Sequence, residues 1–519
     1  MERKLLRVMV VLLAVLALLP WAGSARAEIR LMDGRLMLNG AFKLQTYIRT
    51  DIPKNENDMF HKSHVDYMRT SFRIEALYHL AQIDDMTINL FGGFQYAYEL
   101  MPMLDSKFKR AIPHRAYSEY IHTTKDDLIT EAYVDIIKGP WQFRVGKQIV
   151  VWGETNLKRT ADVINPLDLR FGSPGTEDWE SLKLGLYMLR GIYQTDLPGQ
   201  LNFEFLFIPG DFEMARIPIE GTHRGPSPAD TAMFAPGRMF GITHWAFEKM
   251  RKDEPGWSLS NWELGLKVRG YTWDIDWSFF YFNTISDEAV ADPRRANDFF
   301  MEYIQAGLAT AITGRTQRLN FPGYRVYDFK RFEVLGATFQ TVFESLPMTE
   351  WRLELFYEIG NHYNKAEGGS SSGVPYATVK RDTFGFGLEI RDRFTVPWMT
   401  HALFDDKKLN ISLSYFYDKI ANPHNDIVIT SGRAYRPGDN HASTFSWSIS
   451  QYAFHSQVFT MFQGTYSPIG KYNLVGVLGY APGSHWRYDL GISLYGSKAS
   501  KNKGVPKQDF YLIRVRYEF

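Results

Sequence analysis

The chain has 519 residues, with 59 basic and 58 acidic side chains and no cysteine. A disulfide framework and thiolate metal centres are excluded, and the near-neutral balance offers no electrostatic footprint for a nucleic-acid partner. Aromatic residues make up 15% of the chain and charged residues 23%. A water-soluble domain would leave many of those rings exposed. A transmembrane β-barrel uses the mixture, because it needs an apolar outer band, aromatic girdles at both interfaces and a polar lumen.

In chain order, residues 1–27 predict an export signal. Arg3, Lys4 and Arg7 precede an apolar run over 8–19, and Ala25, Arg26 and Ala27 offer a small-residue cleavage site. This leader carries four basic residues and one acidic, which leaves 55 against 57 in residues 28–519, a formal net charge of −2. No later stretch reaches the roughly 20 continuous apolar residues of a membrane helix. The remaining destinations are the periplasm, the outer membrane or the medium.

Period-2 alternation recurs along residues 28–519. Leu201, Phe203, Phe205 and Phe207 alternate with Asn202 and Glu204, and Trp262, Leu264, Leu266 and Val268 with Glu263, Lys267 and Arg269. Trp273, Ile275, Trp277, Phe279 and Tyr281 then oppose Asp274, Asp276 and Ser278, and Trp351, Leu353, Leu355, Tyr357 and Ile359 oppose Arg352, Glu354 and Glu358. At the end Tyr511, Ile513, Val515, Tyr517 and Phe519 face away from Arg514, Arg516 and Glu518. One face suits lipid and the other suits water. A last strand ending in Phe519 resembles the signal read by outer-membrane assembly machinery, which makes that machinery an expected partner alongside outer-membrane lipid and lipopolysaccharide.

Strands are predicted to begin near 36, 68, 86, 128, 141, 185, 200, 261, 272, 328, 349, 378, 409, 443, 456, 471, 485 and 508. That is about 18, an all-β antiparallel barrel occupying 28–519, and such a width suits an aqueous channel. Splitting 443–466 at Phe454 and His455 decides the count; leaving it whole gives 16. Short turns carry Gly or Pro, as at Gly139, Pro140, Pro198, Gly199, Pro347, Pro482 and Gly483. Long connections near 51–67, 99–127, 150–184, 209–260, 284–327, 362–377 and 422–441 alternate with them and all emerge on the outer side. Residues 393–408 form a long inner connection. One outer loop predicts a helix over 299–312, capped by Asn297 or Asp298 and ended by Gly314, whose apolar side packs the loop or plugs the lumen.

Two chemical patterns have bland readings. Gly369, Ser370, Ser371, Ser372 and Gly373 match a nucleophile elbow formally, but a Gly/Ser-rich loop lacks the strand-to-helix turn that motif needs. His61 and His64 lie in a loop without a positioned carboxylate, a poor metal site. No nucleophile, base and orienting acid assemble from the sequence, so neither an enzyme nor a cofactor is expected.

The lumen face is predicted to carry Arg73, Glu75, Glu131, Asp135, Arg144, Glu204, Glu263, Lys267, Arg269, Arg352, Glu354, Glu358, Arg381, Glu389, Arg391, Arg487, Asp489, Arg514 and Arg516. The signs balance, which predicts cross-strand ion pairs rather than a selectivity ring of one sign.

The densest stretch is 144–170. Trp141, Phe143 and Val145 set an outward phase that places Arg144 and Gln148 in the lumen. Trp152, Gly153 and Glu154 suit a loop bending back into the barrel mouth. Arg159, Asp162, Asp168 and Arg170 then offer charges that either brace the loop as bidentate pairs or touch a permeant. These eight residues, Arg144, Gln148, Trp152, Glu154, Arg159, Asp162, Asp168 and Arg170, are the expected constriction site.

The runs Ala132, Tyr133, Val134, Asp135; Arg144, Val145, Gly146, Lys147, Gln148; Trp152, Gly153, Glu154; and Asp162, Val163, Ile164, Asn165, Pro166, Leu167, Asp168 resemble a Gram-negative family of outer-membrane proteins that bears a domain-of-unknown-function label. Lys147 stands where that family's core usually has Arg. The resemblance implies a barrel in the outer membrane, and its members' company with inner-membrane exporters and periplasmic partners implies traffic in hydrophobic molecules. General porins give a looser analogy, since their loop after the fifth strand also folds inward. The expected function is a passive channel for small or amphipathic solutes. The alternatives are the barrel of a lipid or hydrophobic-compound transport route with a periplasmic partner, a barrel hydrolase, or a receptor or structural barrel.

Overall fold

The computed structural model describes the chain except residues 1–27, 51–64, 105–120, 156–159, 173–175, 178, 217–254, 256, 288, 315–325, 345–348, 366–375, 397–407, 423–426, 429–440, 469 and 498–508. The expected leader, His61, His64, Arg159, the segment 369–373 and most of the inner connection 393–408 therefore lie outside the described residues.

Alternating side chains give one pleated sheet that closes on itself. Its strands are β1 (Leu36–Arg49), β2 (Val65–Ile83), β3 (Met86–Glu99), β4 (Ile129–Lys138), β5 (Trp141–Gln148) and β6 (Leu186–Gln194). There follow β7 (Asn202–Ile208), β8 (Glu263–Thr272), β9 (Ile275–Ile285), β10 (Arg331–Val342), β11 (Glu350–Lys365) and β12 (Ala377–Thr395). The sheet ends with β13 (Lys408–Ile420), β14 (His441–Ala453), β15 (Val458–Tyr466), β16 (Lys471–Tyr480), β17 (Trp486–Ser497) and β18 (Phe510–Glu518). Each pairs antiparallel with its sequence neighbour, and β18 pairs with β1 from Ala41 opposite Glu518 to Arg49 opposite Phe510. The barrel thus has 18 strands, not 16. Phe454, His455 and Ser456 take positive φ of 53°, 57° and 61° in the hairpin that separates β14 from β15.

Outward residues form the apolar belt: Phe203, Phe205, Leu266, Phe279, Leu335, Leu355, Tyr511 and Ile513 are all exposed. Aromatic rings gather at the periplasmic ends, where Trp141 packs on Tyr193 at 4.3 Å and Trp486 on Tyr517 at 4.9 Å. Inward residues pair across strands, as Arg190 with Glu204 at 2.7 Å, Arg391 with Glu350 at 2.6 Å and Arg514 with Asp489 at 2.7 Å. Phe519 continues past β18. Its backbone exchanges hydrogen bonds with Gly40 at 2.8 and 3.0 Å, and its ring lies beside those of Phe42 and Phe72.

Two local expectations need correction. Trp273 does not begin a strand: with Asp274 it forms the hairpin turn at φ 55° and 60°, and its ring is 90% exposed at the membrane rim. The outer-loop helix α1 spans Pro293–Thr313, more than a turn longer than predicted. Its cap is Asp292, whose carboxylate accepts from the Arg294 and Arg295 amides at 3.0 and 3.3 Å, with Pro293 in the first helical position. Gly314 ends it with φ 66°, as predicted. The buried side of α1, Ala296 and Phe299, packs with Ile285, Ala291, Val326, Tyr327 and Phe329, so the helix packs its own loop.

Candidate functional site

The loop between β5 and β6 turns into the barrel because its first residues are apolar and the wall that faces them is apolar too. Val150 and Trp152 are buried with Leu206, Phe280, Phe282, Val334 and Phe356, all on inward positions of β7, β9, β10 and β11. Trp152 lies 5.1 Å from the Phe280 ring and 6.0 Å from Phe282, and its Nε1 donates to Glu204 at 3.0 Å. Gly265 makes the seat: a Cβ there would stand 2.6 Å from the Trp152 ring. An indole that buries its ring while its N–H finds a carboxylate is satisfied at both ends.

Past Trp152 the backbone is held by side chains of β11, six strands on from β5. Glu354, fully buried on β11, accepts from the amides of Thr155 at 2.6 Å and Ala161 at 2.9 Å and from that of Glu154. Arg352 donates to the Glu154 carbonyl at 2.6 Å. Gly153 lets the two limbs close, since a Cβ there would meet Asp162 at 2.9 Å. At the base, Asn165 accepts from the Val150 amide at 2.8 Å and donates to the Leu184 carbonyl at 2.7 Å, clasping both limbs. Lys183 meets Asp162 at 2.7 Å.

A charged knot joins three outer loops. Arg170 grips Asp168 in a bidentate pair, with Nη2 to Oδ2 at 2.6 Å and Nε to Oδ1 at 3.0 Å, and reaches Asp127 at 3.4 Å; Arg216 meets Asp127 at 2.7 Å. Burial opposes ionisation of Asp168 and Asp127. The facing guanidiniums, Arg170 foremost at Asp168 and Arg216 at Asp127, outweigh it and hold both carboxyls below their ordinary range. Depressed carboxyls stabilise the fold above their ordinary value of about 3.9 and lose that contribution as pH falls through the depressed values. Resistance of this loop to proteolysis, scaled to cleavage of an unfolded control at each pH, is therefore expected to hold at about pH 5 and to fall as pH is lowered below the ordinary carboxyl range. Equal resistance across that range would contradict the ionic account of the knot.

The seven expected site residues that are described do not form one cluster. Arg144 stands on the inner face of β5, 3.5 Å from Asp135 and with its guanidinium 4.3 Å above the Tyr133 ring. Gln148 is buried and donates to the Met188 carbonyl at 3.1 Å. Trp152, Asp162 and Arg170 are buried in the contacts above, Asp168 is half-buried there, and Glu154 is held through its backbone. Glu354, Arg352, Glu204 and Lys267 were expected only as general lumen charges. Lys183, Asn165 and Glu177 were not singled out as partners, because nothing in local spacing links them to a carboxylate or amide so far along the chain.

A closed 18-strand barrel with an apolar belt, aromatic rims and a charged interior is a transmembrane β-barrel of the Gram-negative outer membrane. The chain belongs to the family described as Protein of unknown function (DUF1302), whose family model matches residues 91–519. No curated protein sequence matches it. Among solved structures it is similar to OpdK of Pseudomonas aeruginosa with vanillate, at 8% identity and TM-score 0.45 over 95% of this chain and 100% of that one. A BenF-like porin from Pseudomonas fluorescens Pf-5 aligns at 8% identity and TM-score 0.46 over 94% and 98%. OmpF of Salmonella typhi in complex with daunomycin aligns at 11% identity and TM-score 0.39 over 95% and 100%. The likeness is one of barrel architecture.

Proposed function

We propose that the chain is a porin-like channel for passive passage of small or amphipathic solutes, with the 150–184 loop as its constriction. The observation that carries this reading is the Glu354 cradle, by which a loop rooted on β5 is tied to the inner wall at β11, six strands further round the barrel. A wide barrel leaves an aqueous path unless a loop narrows it, and a loop fixed by buried carboxylate bonds narrows it by a set amount. Within this reading Gln148, Trp152, Asp162, Asp168 and Arg170 brace the loop, while Arg144 and Glu154 lie where a solute passes. The paired charges of both signs filter by size and polarity rather than by net charge.

The wall ladder continues between every neighbouring pair of strands and through the β18–β1 closure. A hydrophobic cargo assisted by a periplasmic partner would therefore also use the lumen, not a seam in the described wall. Liposome swelling tests the channel directly. Uptake of uncharged sugars is expected to fall with increasing size, and uptake equal to that of protein-free vesicles for every sugar would sink it.

A further inference from the structure

The far end of the same loop lies against the place where the barrel closes. Thr176 and Glu177 sit over β1 and β18 together. The Glu177 carboxylate meets Lys43 of β1 at 2.8 Å and Gln45 beside it, and Arg514 of β18 donates to the Thr176 carbonyl at 2.9 Å. Gln45 and Arg514 are themselves paired across the closure, and Arg514 is anchored by Asp489 of β17 at 2.7 Å. A second contact spans the same line. Phe171 packs against a cluster made of Tyr47 from β1, Tyr67 from β2 and Phe510 and Leu512 from β18, with the Arg69 guanidinium 3.6 Å from its ring centroid.

This closure is the hardest wall contact to make. Every other neighbouring pair joins strands that follow one another in the chain, whereas β1 and β18 are brought together from opposite ends, at the greatest loop-closure cost. We infer that Phe171, Thr176 and Glu177 form a staple across the closing seam and hold the first and last strands together from inside the lumen. The inference stands whether or not solutes pass, because it concerns the wall and not the path.

Burial opposes ionisation of Glu177, and the nearby Lys43 ammonium and Arg514 guanidinium outweigh it and keep the carboxyl below its ordinary range, as a staple carrying a charge requires. Because the native chain has no cysteine, a pair introduced at Thr46 and Ile513, directly opposite each other on β1 and β18, makes a seam bond of unique identity. Heat-modifiability on SDS gels of the full barrel reads the temperature at which it opens.

Glu177→Ala is expected to lower that temperature by several degrees, and Lys43→Met, which spares the loop, to lower it in the same direction. Oxidised Thr46→Cys with Ile513→Cys is expected to restore the Glu177→Ala barrel to the wild-type value. The same disulfide should leave the loss caused by Asp162→Ala, a contact at the loop base, largely unrepaired. Unchanged opening in both Glu177→Ala and Lys43→Met, failure of the seam disulfide to rescue, or equal rescue of Asp162→Ala would each overturn the staple.

Discussion

Glu354→Ala is expected to raise single-channel conductance several-fold while leaving the barrel assembled. The substitution removes the one acceptor shared by the amides of Glu154, Thr155 and Ala161. Each amide left buried without a partner costs about 1–3 kcal/mol, so the docked loop loses more than a single contact and the limb beyond Trp152 leaves the β11 wall. The wall itself keeps its ladder, because Glu354 pairs through its backbone with Thr338 and Gly387 whatever its side chain. Glu354→Gln keeps acceptor oxygen and should give an intermediate value. Conductance of Glu354→Ala equal to the wild type, with the loop equally resistant to protease, would remove the loop from the role of constriction.

Deleting Phe519 is expected to reduce the inserted fraction severely. The residue sits at the periplasmic end of the closure, where its backbone exchanges two hydrogen bonds with Gly40 and its ring lies beside the glycine, at a distance a Cβ at position 40 would violate. Loss of the residue removes those bonds, the aromatic contact with Phe42 and Phe72 and the terminal ring proposed as the assembly signal. Measured as heat-modifiable protein in outer-membrane fractions, the deletion should fall several-fold below Phe519→Tyr. Equal insertion of the two would count against both the structural and the signalling importance of this terminus.

The wall was legible in the sequence because its determinant is local. Alternation of ring and charge along β8, β11 and β18 specifies which side faces lipid, and every strand begins within about three residues of the predicted position, as expected of so periodic a signal. The misplaced elements follow from turn and cap chemistry: Trp273 reads as one more outward ring but occupies a left-handed turn position, and the helix starts at Asp292 and Pro293 rather than at the expected cap Asn297 or Asp298. The candidate site was half legible. Trp152, Asp168 and Arg170 announced a folded loop by composition. Their partners did not, since the Glu354 cradle joins positions about two hundred residues apart and one side of it is backbone, which carries no residue code. One usable signal was present in the unbroken run Phe279, Phe280, Tyr281, Phe282. A barrel strand apolar on both faces needs something apolar inside the lumen, and Trp152 is what fills that need.

The most direct test of the central claim is the single-channel record of the purified wild-type protein in a planar lipid bilayer. Discrete, uniform current steps are expected, small for an 18-strand barrel in keeping with the proposed narrowing of the lumen by the β5–β6 loop. A current that stays at the protein-free baseline, from protein shown by heat-modifiability to be a folded barrel, would contradict that claim.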